Sequence, residues 1–160
     1  MPQWSENGAD YVLTTGSFAG RTAPTTQYSP LVGVDIQFQS AQTLDIPANQ
    51  GWEYGVLVIA GSVTSADGIR AEADELLFIE QHEGNFTLTA EAGTHIMLLG
   101  GEPLPHPTLI WWNFVADSRD ALCRAVSDWN NFSPRFGKEI DLNGTGLKRL
   151  TAPDVPDGLK

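Results

Sequence analysis

Tyr54 to Ala60 reads YGVLVIA, a continuous apolar run rich in β-branched residues and bounded by Gly51 and Gly61. It is too short and too sharply flanked for a globular helix, whereas a strand buried on both faces takes this form. The run predicts a central strand, and the segments on either side must supply its partners.

Upstream, Tyr11 to Phe18 and then Val32 to Phe38 (VGVDIQF) alternate apolar and polar residues, the period of a half-buried strand. A stretch rich in Pro, Thr and Gly, AGRTAPTTQYSP, separates them, and TLDIP follows as a short strand ending at Pro47. Downstream, Ser65 to Gly68 (SADG) predicts a hairpin turn, and Leu76 to Ile79, Phe86 to Ala90 and His95 to Leu99 predict three more strands. Strands spaced about ten residues apart with turn signals between them point to a sandwich or a closed barrel.

Thr108 to Val115 (TLIWWNFV) is the densest apolar segment and predicts a further strand, with Trp111 and Trp112 on opposite faces. After Asp117 or Ser118 as N-cap the period changes. Ala121, Leu122, Ala125, Val126 and Trp129 recur at helical spacing, so Ser118 to Asn130 predicts one amphipathic helix docking on the barrel. The Pro- and Gly-rich remainder reads as an extended covering tail. The whole is expected to be one all-β domain over 1–160: barrel at about 10–116, helix at about 118–131, tail at 132–160.

A chain of 160 residues can bury a real core without staples. Its formal net charge of −11 repels phosphate backbones and anionic lipid, which speaks against direct nucleic-acid or membrane binding. The nearest thing to a basic patch, Arg135, Lys138, Lys148 and Arg149, reads as a solvated face lacking the interleaved aromatics of a single-strand platform. Cys123 is the single cysteine, so an intrachain disulfide is impossible and a reducing compartment is natural. With no signal-like N-terminus and no apolar stretch of spanning length, a cytoplasmic location is expected.

Leu98 to Leu122, LLGGEPLPHPTLIWWNFVADSRDAL, followed by RFG at 135–137 and TAP at 151–153, resembles the C-terminal domain of the pirin family in order and spacing. YGVLVIAGSV resembles the barrel strand of that domain. The resemblance implies a cupin jelly-roll barrel: pirins pair an N-terminal metal cupin with a C-terminal cupin that normally carries no metal. This chain would supply the second half, either as a fragment of a two-cupin protein or as a stand-alone half that pairs with itself or with a separate first half.

A metal cupin needs converging donors, implied by the family to be two His one residue apart, a Glu four beyond, and a His from a later strand. Laid on this chain, the Glu position falls on Glu53, but the two His positions fall on Pro47 and Asn49. His95 lies near the last position, in a register open by a residue or more. Glu53 and His95 are therefore the only metal candidates, each with an ordinary alternative: a rim carboxylate capping a turn, and a polar residue at a strand start.

Other chemistry finds less support. His82 in EQHEGN and His106 in PLPHP read as exposed, and Cys123 as helix packing. The acid pairs Asp74–Glu75 and Glu80–Glu83 read as solubility charges, and Gly100–Gly101 precedes Glu-Pro, which cannot open a phosphate-binding helix. The aromatic group Trp111, Trp112, Phe114 and Trp129 reads first as core packing, and Trp52 and Trp112 become candidates for a partner surface should they stand exposed.

Three functions follow. The favoured one is a non-catalytic, metal-free cupin module acting through protein–protein contact with another cupin domain or a copy of itself, with no cofactor. The second is a quercetin-dioxygenase-like oxygenase using iron or another divalent metal. The third is a barrel that binds a small molecule without chemistry.

Overall fold

A computed structural model of the chain describes residues 1–80 and 84–159. It divides into two compact units, Met1–Pro103 and Leu104–Lys160.

The first unit is a jelly-roll barrel of two antiparallel sheets. Its strands are β1 (Gln3–Glu6), β2 (Ala9–Thr15), β3 (Ser17–Phe18), β4 (Arg21–Thr22), β5 (Leu31–Phe38), β6 (Gln42–Ile46), β7 (Glu53–Ala60), β8 (Ser62–Ser65), β9 (Arg70–Glu72), β10 (Leu76–Ile79), β11 (Phe86–Ala90) and β12 (His95–Gly101). One sheet has the order β1-β2-β5-β12-β7-β10 and the other β6-β11-β8-β9, with β3–β4 a small hairpin apart. The expected central strand is β7, flanked by β12 and β10.

The period-2 pattern sorts side chains as expected. Val34, Ile36, Val56, Val58, Ile96 and Leu98 all point inward and are fully buried, and they meet Leu44, Ile46, Val63 and Leu88 from the facing sheet. Gly100 continues the inward face of β12, where a Cβ would lie 2.4 Å from the Tyr54 ring. The glycine is what lets Tyr54 fill that end of the barrel.

The second unit corrects the expected barrel boundary. Thr108 to Val115 is not one strand: β13 (Leu109–Trp111) and β14 (Phe114–Ala116) pair only with each other across a tight turn. Trp112 occupies that turn with φ of 53°, so Trp111 and Trp112 do not stand on opposite faces of a strand. The barrel's sheets end at Gly101 rather than near 116.

The helix α1 runs over Arg119–Asn130, capped by the Ser118 side chain accepting from the Ala121 N–H. Its buried stripe, Leu122, Ala125 and Val126, is covered by Phe114 of the hairpin and by Ala152 and Val155 of the tail. The covering surface expected from the barrel is thus supplied within the second unit itself. The tail is tied down by side-chain bonds to its backbone. Asn130 donates to the Ala152 carbonyl and accepts from the Ala152 N–H, Trp111 Nε1 donates to Pro153 O, and Arg119 reaches Val155 O, Pro156 O and Asp157.

Charge divides between the units as well. Seven of the nine Lys and Arg residues lie in 104–160 beside seven of the twenty acids, so the barrel carries the whole −11 and the second unit is neutral.

Candidate functional site

Aliphatic and aromatic side chains line most of the barrel interior; on the inward parity of β6 the exception is Gln42, whose Nε2 is buried without a hydrogen-bond partner. Among the described residues Thr94 is the buried polar one, and it lies in the turn before β12 with its hydroxyl donating to Ser62 O. At the end where the family pattern would place ligands on Pro47, Asn49 and Glu53, the inward group is the Tyr54 ring. Its hydroxyl accepts from the Asn49 N–H at 2.7 Å, and Phe86 lies against it with centroids 5.3 Å apart. Burial pushes the Tyr54 hydroxyl above its ordinary pKa, partly offset by the Asn49 bond.

Glu53 and His95 do not converge. Glu53 pairs with Gly101 and His95 with Ala60, at opposite ends of the β7–β12 ladder. Six residues of strand separate them, about 20 Å at roughly 3.3 Å per residue. Alternation also turns both away from the interior, since Tyr54 and Ile96 take the inward positions. The open register is thereby settled: Ile96, not His95, points into the barrel.

His95 instead meets Asp35, Nε2 to Oδ2 at 2.7 Å, on the outer face of the large sheet with both side chains mostly covered. Asp35 was not singled out from the sequence. Only the β5–β12 register, which pairs Asp35 with Met97 and sets it diagonal to His95, brings the two together. Among the described residues no three His, Cys, Asp or Glu side chains cluster as a metal site. The donor set present therefore does not fit a redox metal needing at least two His and a carboxylate on one face.

The same outer face carries a different feature. The register places Met97, Leu57 and Leu76 in one row, and Leu99, Gly55 and Phe78 in the next. Leu76 and Phe78 are 58% and 55% exposed, and Leu57, Ile59 and Leu99 are also open to solvent. An antiparallel sheet that faced water would carry polar residues there. Together Leu57, Ile59, Leu76, Phe78 and Leu99 form a row of exposed apolar side chains on one sheet face.

The two tryptophans expected at a partner surface are elsewhere and half-buried. Trp52 packs against the barrel core beside Tyr54, and Trp112 packs in the second unit between Phe114 and Trp129. Neither is the exposed anchor a partner would seize. Of the remaining candidates, His106 is exposed as expected, as are Asp74 and Glu75, while Cys123 is partly buried on α1. His82 and Glu83 lie outside the described residues. No helix among the described residues is long and apolar enough to cross a membrane.

The basic patch, by contrast, differs from its sequence reading. Arg149 lies 4.1 Å from the Trp129 ring centroid and 4.4 Å from that of Phe132, and Arg135 lies 5.4 Å from that of Phe136. These cations are interleaved with aromatic rings after all, through contacts between the tail and the end of α1.

Comparison with known proteins supplies a frame for this geometry. The family description "Pirin C-terminal cupin domain" matches residues 33–137. A Pseudomonas aeruginosa protein provisionally named a quercetin 2,3-dioxygenase is 35% identical over 98% of this chain and 48% of its own length. A pirin-like protein of Caulobacter vibrioides is 31% identical over 81% of this chain and 43% of its own. The crystal structure of a quercetin 2,3-dioxygenase from Acinetobacter baumannii superposes with a TM-score of 0.81 at 32% identity, covering 99% of this chain and 52% of that one. The chain spans about half the length of the curated relatives it matches.

Proposed function

The chain belongs to the pirin C-terminal cupin family, and from that premise we propose that it is a metal-free cupin module, without oxygenase chemistry of its own, that packs against another cupin domain. The observation that carries this reading is the barrel lining. A cupin barrel does redox chemistry by pointing several donors at one ion, whereas here the inward positions hold Tyr54, Val56, Val58, Ile96 and Leu98. The outer apolar patch around Leu57, Leu76, Phe78 and Leu99 gives the module its contact surface. The partner in this reading is a cupin domain of similar size, whether in the same polypeptide, in a second copy of this chain or in a separate first half.

The quercetin 2,3-dioxygenase names of two relatives favour the other reading, an oxygenase using a divalent metal. Those names belong to proteins twice as long, so the activity they describe can reside in the half this chain does not match. Light scattering separates the parts of the proposal. A dimer mass that returns to monomer in Phe78→Lys supports packing through the outer sheet face. A monomer across the concentration range, or a dimer indifferent to Phe78→Lys, rejects that face as the self-pairing surface.

A further inference from the structure

A cleft of about 540 Å³ opens in the second unit, walled by Trp112, Phe114, Trp129, Phe132 and Phe136. That volume lies within the range of small-molecule sites. The rings pack edge-on along its wall, Trp129 against Phe136 at 5.4 Å and 80° and Trp112 against Trp129 at 5.6 Å and 64°, while Phe132 remains 56% exposed. Two of the walls are held at a conformational cost. Trp112 and Phe132 have φ of 53° and 58°, a region that bulky side chains rarely occupy. Each conformation is set by a local element: Trp112 turns the β13–β14 hairpin, and Phe132 ends α1, its N–H bonding Trp129 O and that of Ser133 bonding Asp128 O.

The charges at the cleft are predominantly positive. Arg149 and Lys138 both line it, against one acid, Glu139. The Arg149 guanidinium lies over the Trp129 and Phe132 rings and donates one N–H to Trp129 O, which pins the plane of its charge inside the cleft. With the barrel carrying the entire −11, this neutral unit is where an anion can approach the protein.

We propose that this cleft binds a planar aromatic carboxylate, its ring stacked among the tryptophan and phenylalanine side chains and its carboxylate held by Arg149 and Lys138. Each part of the site selects one part of that ligand. Ring walls favour a flat π-system over an aliphatic chain, and the two cations favour an anion over a neutral or cationic ring. Two cations can also hold a phosphate, so adenosine monophosphate enters the test as the competing anion. The inference is independent of whether the barrel pairs with another cupin.

The test is calorimetric titration of the 160-residue chain with 2-naphthoate, alongside its neutral isostere 2-naphthalenemethanol and adenosine monophosphate. The expected result is saturable one-to-one binding of the naphthoate, with the alcohol roughly tenfold weaker, the effect of losing a charge-assisted bond. Lys138→Glu, at an exposed rim position, should weaken naphthoate by a similar factor while leaving the melting temperature and the alcohol's affinity unchanged. Phe132→Ala should weaken both ligands. No saturable binding, equal affinity for acid and alcohol, an unaffected Lys138→Glu variant, or tighter binding of the nucleotide would each overturn the proposal.

Discussion

The barrel and the second unit solve the same problem, how to keep an apolar interior dry, in opposite ways. The barrel does it with regular ladders: inward aliphatic side chains from two sheets interdigitate, and the charge is pushed to its outer surface. The second unit has a two-stranded hairpin and one helix, too little regular structure to enclose a core. It closes instead with a tail held by Asn130, Trp111, Trp129 and Arg119, each bonding tail backbone, and its aromatic rings leave a gap. Regular packing lines the barrel interior with aliphatic side chains, and irregular packing leaves a cleft among aromatic ones.

That contrast can be broken from either side. The largest effects are expected from the two cores. Leu98→Ala, fully buried in the barrel, should cost about 2–5 kcal/mol, and Leu122→Ala, fully buried under the tail, a similar amount. Urea titrations would check both. If the units are held by different devices, Leu122→Ala should leave the barrel's transition in place, and a single shared transition shifted equally by both would erase the distinction.

A middle-sized effect belongs to the tail clamp. Asn130→Ala strips the Ala152 backbone of both partners, and with Ala152 itself buried the cost should be about 1–3 kcal/mol. Protease sensitivity confined to the segment after residue 140 would locate the loss. A loss under about 0.5 kcal/mol would mean that the tail is held by burial alone.

A smaller effect separates the ends of the barrel through pH. Burial raises the pKa of Tyr54 above 10.0, and burial with the Glu6 charge does the same for Tyr11. A raised phenol pKa means the folded state keeps its proton where the unfolded chain loses it. This contribution is full below about pH 10 and is lost as pH rises through the higher folded value. Stability should therefore fall between pH 9 and 11, and less steeply in Tyr54→Phe, which should also cost about 1 kcal/mol at neutral pH for the Asn49 bond. An unchanged slope would show that Tyr54 does not sense the interior. Smallest of all, Phe78→Lys should alter monomer stability by less than about 0.5 kcal/mol in a denaturant titration, because that side chain is already in water.

How far the sequence could be read follows the same division. The barrel was legible because alternation at Val32 to Phe38 and the continuous run at Tyr54 to Ala60 are short-range patterns that ladder pairing preserves. Leu76–Ile79 and Phe86–Ala90 form strands with the bounds expected. The hairpin at 109–116 was not legible: TLIWWNFV has no Gly or Asn-Gly turn signal, and Trp112 takes the left-handed turn conformation against its own preference. Likewise the contact of His95 with Asp35 across 60 residues, and of Arg149 with Trp129 across 20, depends on register and tail path. The Glu53–His95 pair failed because counting along the chain cannot reveal that antiparallel pairing sends the two to opposite strand ends.

On the proposed reading this barrel holds no catalytic metal. Elemental analysis of the 160-residue chain, purified without chelator or immobilised metal, measures it directly. The mostly apolar lining predicts iron, nickel, copper and zinc all far below one ion per chain. Near-stoichiometric content of any of them, lost in Glu53→Ala or His95→Ala, would contradict the account and make oxygenase activity the next assay.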